Sequence, residues 1–204
     1  MNILYIDYRM YGKIDIILAF RLLGNDVKEV DYPLLYGEKS IQTEHAIFEE
    51  LQNNSYDIVF TSNYYSMVSN LCNKFGVKYI SWTYASPRIA LYDRSIVNEC
   101  NYAFTFDSDE CRTLRNKGVN TVYYMPLAVN PEHIRKIKIT EQDKELFSAE
   151  VGLVASLYNE EHNLYDRMAV KLDGYTKGYL EAAMQAQKNL FGGFILENIL
   201  KNKE

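Results

Sequence analysis

Cysteine, proline and glycine are scarce in this chain of 204 residues, and long apolar runs are missing. The three cysteines (Cys72, Cys100 and Cys111) form no CxxC pair, which argues against a disulfide or zinc framework and predicts free thiols in a reducing cytoplasm. Ten glycines and four prolines are too few for a linker-rich protein. No run approaches the roughly 18 apolar residues of a membrane-spanning helix, so we expect no membrane span.

Charge and aromatic content narrow the range of ligands. Twenty-two basic against 27 acidic residues give a net charge of −5, which argues against nucleic acid as a partner. Aromatic residues are plentiful, with 18 tyrosines and nine phenylalanines but a single tryptophan. Most of the tyrosines are expected to be half-buried sheet residues whose hydroxyls reach water, although such rings also stack on sugars or bases.

Short β-rich runs alternate with helical patterns over the first 130 residues, which predicts an α/β fold with a Rossmann-like, doubly wound parallel sheet. Gly24, Gly76 and Gly118 are expected to end helices, because glycine tolerates positive φ. Asp107 and Glu110 have the spacing of a capping box, in which each side chain bonds a backbone N–H. Predicted strands are 3–7, 27–30, 57–61, 77–82, 102–106 and 121–125, with helices at 13–23, 43–51, 64–75 and after Asp107. The helix at 13–23 is apolar almost all round and should therefore lie buried against the sheet, and Thr43 is expected to be the N-cap of the next helix.

The pattern changes after Pro131. We predict a Rossmann-like acceptor-side domain at 1–131, a charged connector with a helical turn or two at 132–150, and an extra strand followed by helices at 151–204. That strand is expected at 151–157, and the helices at 164–170, 177–190 and 194–201.

Several familiar sites are missing. The loop at 7–12, after the first predicted strand, has neither GxGxxG nor GxxxxGK[ST], which argues against a nicotinamide dehydrogenase or a P-loop NTPase. The sequence also lacks the GxSxG motif of a nucleophile elbow, so acyl transfer has no support. His45, His133 and His162 are scattered, and none has a recognisable ligand spacing, so we predict no metal site and no cofactor.

Ligands of open parallel sheets bind outside the carboxyl ends of the strands, near the point where strand order reverses. This rule selects the loops at 7–12, 61–65, 83–88, 107–109 and 126–130. The loop at 81–88 is the most informative, because its indole, phenol, hydroxyls and guanidinium suit a sugar. We predict that aromatic rings stack on the ligand, that Arg9 or Arg88 pairs with an anionic group, and that Asp7 is the catalytic base. For Trp82 alone, packing in the core is an equal alternative. The predicted substrate-binding residues are Arg9, Tyr11, Asn63, Tyr64, Trp82, Tyr84, Ser86 and Arg88.

The same loop resembles a known family. Residues 79–87 (YISWTYASP), 100–102, 106–107 and 118–130 (GVNTVYYMPLAVN) resemble the N-terminal half of CgeB-like, spore-maturation-type bacterial glycosyltransferases. The similarity continues through 156–160 (SLYNE), 162–167 (HNLYDR) and the helix around 178–180, so it covers nearly the whole chain.

The resemblance implies a GT-B architecture, in which two Rossmann-like domains face a cleft. The first domain holds mainly the acceptor and the second mainly the nucleotide-sugar, generally without a bound metal. The chain departs from the family at Ala85, where members often carry an acid, and it contains only the start of a second half. The expected function is therefore the acceptor-binding half of a glycosyltransferase, inactive without a nucleotide-sugar-binding C-terminal domain.

Two alternatives stay open. One is a non-catalytic, Rossmann-like module that binds a glycan or a protein, and the other is an unrelated enzyme that uses Asp7 and Arg9. The expected partner is a small-molecule or glycan acceptor, and a nucleotide-sugar only where a C-terminal domain is present. The C-terminal helices are also expected to form a homodimer through an apolar stripe, which comprises Leu180, Ala183, Met184, Leu190, Phe194, Ile195 and Ile199.

Overall fold

The computed structural model describes residues 1–7, 12–32, 41–155, 163–190, 193, 195 and 199, without the side chains of Asp7 and Leu164. The chain divides into two compact units, Met1–Lys138 and Ile139–Glu204.

The first unit is built on a six-stranded sheet in which every pair of neighbouring strands is parallel. The strand order is β2-β1-β3-β4-β5-β6. The predicted α/β fold, a Rossmann-like doubly wound parallel sheet, is therefore confirmed. Its strands are β1 (Asn2–Asp7), β2 (Asp26–Asp31), β3 (Ile58–Ser62), β4 (Lys78–Thr83), β5 (Asn101–Thr105) and β6 (Val122–Tyr124).

The described residues of the first unit form five α-helices and two 3-10 helices. They are α1 (Lys13–Leu22), α2 (Ile41–Asn53), α3 (Ser66–Phe75), the 3-10 helices Ile89–Tyr92 and Arg94–Val97, α4 (Ser108–Asn116) and α5 (Pro131–Lys136). The second unit contains α6 (Glu141–Phe147), α7 (Leu164–Ala169) and α8 (Gly174–Lys188). Among the described residues, no helix is long and apolar enough to cross a bilayer.

Strand order decides which helices share a side of the sheet. In the sheet, β2 lies on one side of β1, whereas β3, β4, β5 and β6 follow in order on its other side. Because crossovers between parallel strands are right-handed, α1 covers one face of the sheet, and α2, α3 and α4 cover the opposite face. We call the side with α2, α3 and α4 the first face. Its core includes Leu4, Ile47, Val59, Val68, Leu71, Tyr79, Leu91, Ala103, Leu114 and Val122.

The opposite side, which we call the second face, carries α1. Ile17 and Phe20 of this helix pack with Ile3, Tyr5 and Phe60 of the strands. The strand order reverses between β1 and β3, and the crevice outside their carboxyl ends is where ligands of this class of sheet bind.

Glycine positions were predicted well. Gly24, Gly76 and Gly118 follow helices with φ of 76°, 67° and 87°, which a side chain would strain. The charged connector contains the two short helices α5 and α6, which agrees with the expected helical turns.

Three local predictions were wrong. Helix α1 was expected to be buried almost all round, yet Ile14 and Leu22 are 80% and 78% exposed, because the sheet covers only the side that carries Ile17. Thr43 was expected to cap a helix but lies buried within α2. Residues 151–155 of the predicted extra strand form no strand, and 156–157 lie outside the described residues.

The predicted apolar stripe of the second unit is partly covered. Ala183 is buried, whereas Met184 and Leu190 are exposed, and Phe194 lies outside the described residues. The predicted helix 194–201 also falls mostly outside them. Dimerisation through this stripe stays a prediction.

Candidate functional site

Asn63 joins the carboxyl ends of β3 and β4. Its backbone is in the left-handed region with φ 69°, a conformation that asparagine tolerates better than most residues. Its N–H donates to the Trp82 carbonyl at 2.9 Å, and its Oδ1 accepts from the Tyr84 N–H at 2.9 Å. Thr61 Oγ1 donates to the Asn63 carbonyl at 2.6 Å. These hydrogen bonds fix the backbone that positions the side chains of Trp82 and Tyr84.

Trp82 and Tyr84 form an aromatic pair at this strand end. Their ring centroids lie 5.3 Å apart at an interplanar angle of 43°, and both side chains are half-buried. Trp82 packs against the second-face core, and its buried Nε1–H meets no acceptor among the described residues. The pair therefore combines apolar ring surface with polar groups.

Tyr84 reaches toward the start of α1. A β-carbon at Gly12, the N-cap of α1, would lie 3.6 Å from the Tyr84 hydroxyl oxygen. Burial, and then the nearby negative charge of Asp15, raise the pKa of Tyr84. The aromatic pair thus lies beside the point where the strand order reverses.

Asp15, Asn130 and His133 form a polar group that we call the Asp15 cluster. Asn130 Nδ2 donates to Asp15 Oδ1 at 2.7 Å, and His133 Nδ1 lies 3.6 Å from Asp15 Oδ2. Asn130 also caps α5, since its Oδ1 accepts from the N–H groups of Glu132 and His133 at 3.1 and 3.4 Å. One asparagine thereby fixes α5 to α1.

Sequence reasoning missed this cluster. The sequence predicts a strand-end loop at 126–130, but it shows no metal-ligand spacing around His133. The signal that was present is Asn-Pro at 130–131, an N-cap followed by proline at the first helical position, which places a histidine two residues later on the first turn.

Ser86 is bonded to the N-terminus of α4. Its Oγ donates to Asp107 Oδ2 at 2.5 Å, while Asp107 Oδ1 accepts from the N–H groups of Asp109 and Glu110 at 2.9 and 3.0 Å. These donors, Ser86 first, lower the pKa of Asp107. The predicted cap by Asp107 is confirmed, and it also anchors the loop that contains the cis peptide between Ser86 and Pro87.

Glu110 has a different role from the one expected. Instead of reaching back to the N-cap, it lies 6% exposed, and its Oε1 and Oε2 accept from the Arg88 N–H at 2.9 Å and from Thr105 Oγ1 at 3.1 Å. Burial raises the pKa of this carboxyl. Asp107 and Glu110 therefore fix the loop after β4 at two residues, Ser86 and Arg88.

Arg88 and Tyr64 lie on the inside of the loop. The Arg88 side chain is buried, donates from Nη2 to the Tyr64 carbonyl at 3.1 Å and lies 5.3 Å from the Tyr65 ring centroid. Tyr64 is fully buried, and its hydroxyl bonds Ser95 Oγ at 2.9 Å and Asn101 Nδ2 at 3.3 Å. Both side chains thus lie buried in the first-face packing, and their predicted contact with a ligand stays a prediction.

The first strand end is only partly described. Asp7 is the last residue of β1 and is in register with Asp31 of β2. Its side chain, and the whole of Arg9 and Tyr11, lie outside the described residues, so their predicted roles stay predictions. Of the predicted set, Asn63, Trp82 and Tyr84 are joined by the contacts above, and Ser86 follows on the same loop, where it bonds Asp107. We call these four the rim residues.

Within the described ranges, no group of three or more His, Cys, Asp or Glu side chains could hold a metal ion. The three cysteines are free.

Comparisons of the chain with family models, curated proteins and solved structures find no match. The resemblance to CgeB-like glycosyltransferases therefore stays a prediction.

Proposed function

We propose that the rim residues bind a glycan or a similar hydroxyl-rich acceptor. The observation that carries this proposal is the Trp82–Tyr84 pair, held by Asn63 at the carboxyl edge of the sheet and beside the reversal of strand order. Ligands of doubly wound sheets bind at such a crevice.

The chemistry of the edge suits a sugar. A pyranose presents an apolar C–H face that an aromatic ring can cover and hydroxyls that need hydrogen-bond partners. The Trp82–Tyr84 pair supplies ring surface, the Tyr84 hydroxyl can donate or accept, and the Asp15 carboxylate adds an acceptor. Binding sites commonly combine apolar walls with a few placed polar groups in this way.

The finer proposal is that this edge is the acceptor side of a GT-B glycosyltransferase. It rests on the resemblance of residues 79–87 and 118–130, and it requires a second Rossmann-like domain for the nucleotide-sugar. A non-catalytic glycan-binding module is the second candidate. Ala85 favours the second candidate, because it stands where members of the resembled family often carry an acid.

Trp82 provides the test, because it is the only tryptophan in the chain. Its emission would be followed while methyl glycosides, oligosaccharides and nucleotide-sugars are added. We expect at least one glycan to bind with a dissociation constant of about 1 mM or below, equivalent to about −4 kcal/mol. Replacing Tyr84 with alanine should weaken that binding about fivefold, since an aromatic contact is worth about 1 kcal/mol.

The matched control is Tyr175→Ala, which removes a tyrosine that is 75% exposed on α8 and should leave the dissociation constant unchanged. Absence of any glycan response in the folded protein would contradict the proposal. Tight capture of a nucleotide-sugar by this chain would contradict the assignment of the edge to the acceptor.

A further inference from the structure

A groove of about 430 Å³ lies between α4 and the edge strand β6, and it shares none of its lining with the rim residues. The residues that α4 contributes extend from Ser108 to Asn116, so the groove follows about two turns, or roughly 12 Å, of this helix. Extended chain rises about 3.3 Å per residue. The groove therefore has the length of about three or four residues of a strand.

The lining is basic although the chain as a whole carries a net charge of −5. Arg112 and Arg115 line the groove, and none of the described lining residues is acidic. Arg112 Nη2 donates to Asp109 Oδ1 at 2.6 Å, but these two side chains are 69% and 75% exposed, so water screens their attraction. A carboxylate that enters the groove therefore meets two guanidinium groups.

The backbone of β6 is paired on one side. Within the described sheet β6 is the last strand, and the Thr121 carbonyl and the Met125 N–H each bond β5 at 2.9 Å. Because backbone groups alternate along a strand, those of Val122 and Tyr124 turn away from β5. Arg115 Nε donates to the Val122 carbonyl at 2.8 Å. The N–H and carbonyl of Tyr124, a residue that is 55% exposed, are thus open to a further strand.

Aromatic rings continue this surface on the other side of β6. Val122 belongs to the first-face core, so Tyr123 points to the second face, where its ring centroid lies 6.2 Å from that of Tyr102 and 5.5 Å from that of Phe104. The guanidinium carbon of Arg115 lies 5.1 Å from the Tyr123 ring centroid. A strand added to β6 would therefore meet guanidinium groups and aromatic surface.

We propose that this groove binds an extended acidic segment of a partner protein, which adds a strand to β6. Backbone hydrogen bonds to Tyr124 supply affinity, while acidic side chains on Arg112 and Arg115, alternating with apolar side chains on Tyr123, select the partner. Charge favours this occupant over a second copy of the chain, because two-fold pairing of β6 with itself brings like arginines together. The proposal is independent of the glycan site.

The test uses the full chain and three fluorescein-labelled octapeptides. Glutamate and valine alternate in the first, lysine replaces every glutamate in the second, and proline replaces the central valines in the third, which keeps the charge but removes backbone donors. Fluorescence anisotropy should show that the glutamate peptide binds at least about tenfold more tightly than either of the others. Equal binding of the glutamate and lysine peptides, or of the glutamate and proline peptides, would overturn the proposal.

Two charge-reversal variants separate the groove from the overall charge. Arg112→Glu alters an exposed side chain and should weaken binding of the glutamate peptide about tenfold, as expected for the loss of one charge-assisted hydrogen bond. The matched control is Arg21→Glu, which makes the same change of charge at an exposed position of α1 and should leave binding unchanged. Equal weakening in the two variants would mean that net charge alone attracts the peptide, and the proposal would fail.

Amide hydrogen exchange locates the bound peptide. The glutamate peptide should slow exchange at the Tyr124 amide and leave the amides of β2, at the opposite edge of the sheet, unchanged. Binding that leaves Tyr124 exchange unaltered would overturn the proposal. So would a Tyr124 amide that is already protected without peptide in a chain that light scattering shows to self-associate, because the edge would then belong to a second copy.

Discussion

At the carboxyl end of the sheet, the polar side chains of the first face are buried and bonded within the protein, whereas those of the second face are more exposed. On the first face, Tyr64, Arg88 and Glu110 are buried and bonded to other parts of the protein. On the second face, Tyr84 is half-buried, and His133 is largely exposed beside Asp15. The first-face groups therefore stabilise the fold, whereas the second-face groups are accessible to a ligand.

This difference separates stability from binding. Buried polar groups are costly unless they are hydrogen-bonded, so removing one partner on the first face leaves another group unsatisfied. Exposed or half-buried groups exchange partners with water at little cost. Substitutions on the first face should therefore change the free energy of unfolding, and those on the second face should change ligand binding.

The largest effect is expected at Asn101. Its Nδ2 donates to the carbonyls of Ser95 and Ile96 at 2.8 and 3.0 Å, and its Oδ1 accepts from Ser69 Oγ at 2.7 Å. Asn101→Ala should lower the free energy of unfolding by about 3–4 kcal/mol, because several buried groups lose their partner together. Urea denaturation followed by Trp82 emission measures this change.

Asn98→Ala is the matched control for Asn101. Asn98 is half-buried and also bonds Ser69 and Asn70, at 3.0 and 3.1 Å, but water can replace these bonds. Its loss should cost about 1 kcal/mol or less. If the two substitutions lowered the free energy of unfolding equally, the expected difference between buried and solvent-accessible hydrogen bonds would be contradicted.

A smaller effect is expected at Glu110. Glu110→Ala removes the acceptor of the Arg88 N–H and of Thr105 Oγ1, and should lower the free energy of unfolding by about 2–3 kcal/mol. Glu110→Gln keeps an acceptor and the side-chain volume, so it should cost about 1 kcal/mol. Denaturant titration of both variants at neutral pH checks the order, and an equal cost would show that these hydrogen bonds do not hold the loop.

The same carboxyl predicts a pH dependence. Burial raises the pKa of Glu110 in the folded state, so the folded protein binds this proton more tightly than the unfolded chain. The resulting stability is present below the ordinary pKa of about 4.3 and is lost as pH rises through the raised pKa. The stability of the wild type relative to Glu110→Gln should therefore fall from pH 4 to pH 7, and a rise would contradict the assigned burial.

Asp107 should show a modest effect of the opposite sign. Ser86 and two backbone N–H groups lower its pKa, so its contribution is present above the ordinary pKa of about 3.9 and is lost as pH falls through the lowered folded value. Asp107→Ala should cost about 1 kcal/mol as a lost N-cap. Ser86→Ala removes one of the donors to Asp107, so the stability of this variant should fall less as the pH drops. Thermal unfolding between pH 2 and pH 6 measures this change.

The smallest effect on stability is expected in the Asp15 cluster. His133→Gln and Asp15→Asn alter a solvated pair and should change the free energy of unfolding by about 0.5 kcal/mol or less. The same denaturant titrations check this value. A loss comparable to that of Glu110→Ala would mean that the cluster is structural, and the two sides of the sheet would no longer differ.

Local patterns were enough to predict the sheet, the helix-ending glycines, the Asp107 cap and the placement of Asn63, Trp82, Tyr84 and Ser86 at strand ends. Strand period and capping rules act over a few residues, which the sequence displays directly. The direction in which Tyr64 and Arg88 turn depends on which helices cover each face, and this follows from strand order.

The Asp15 cluster could not be predicted in the same way. Asn130 bonds a residue 115 positions earlier, and that contact depends on the path of the chain after β6. Glu110 misled the capping rule because Thr105 and the Arg88 N–H, both brought near by tertiary packing, compete for its carboxylate.

The most direct test of the central claim is amide and indole chemical-shift mapping of the ¹⁵N-labelled chain during titration with a methyl glycoside. We expect the largest shifts at the single indole N–H of Trp82 and at the amides of Asn63 and Tyr84, while the amides of Ser69 and Asn101 on the first face stay unchanged. Shifts confined to the first face or to α8, with the Trp82 indole unmoved, would contradict it.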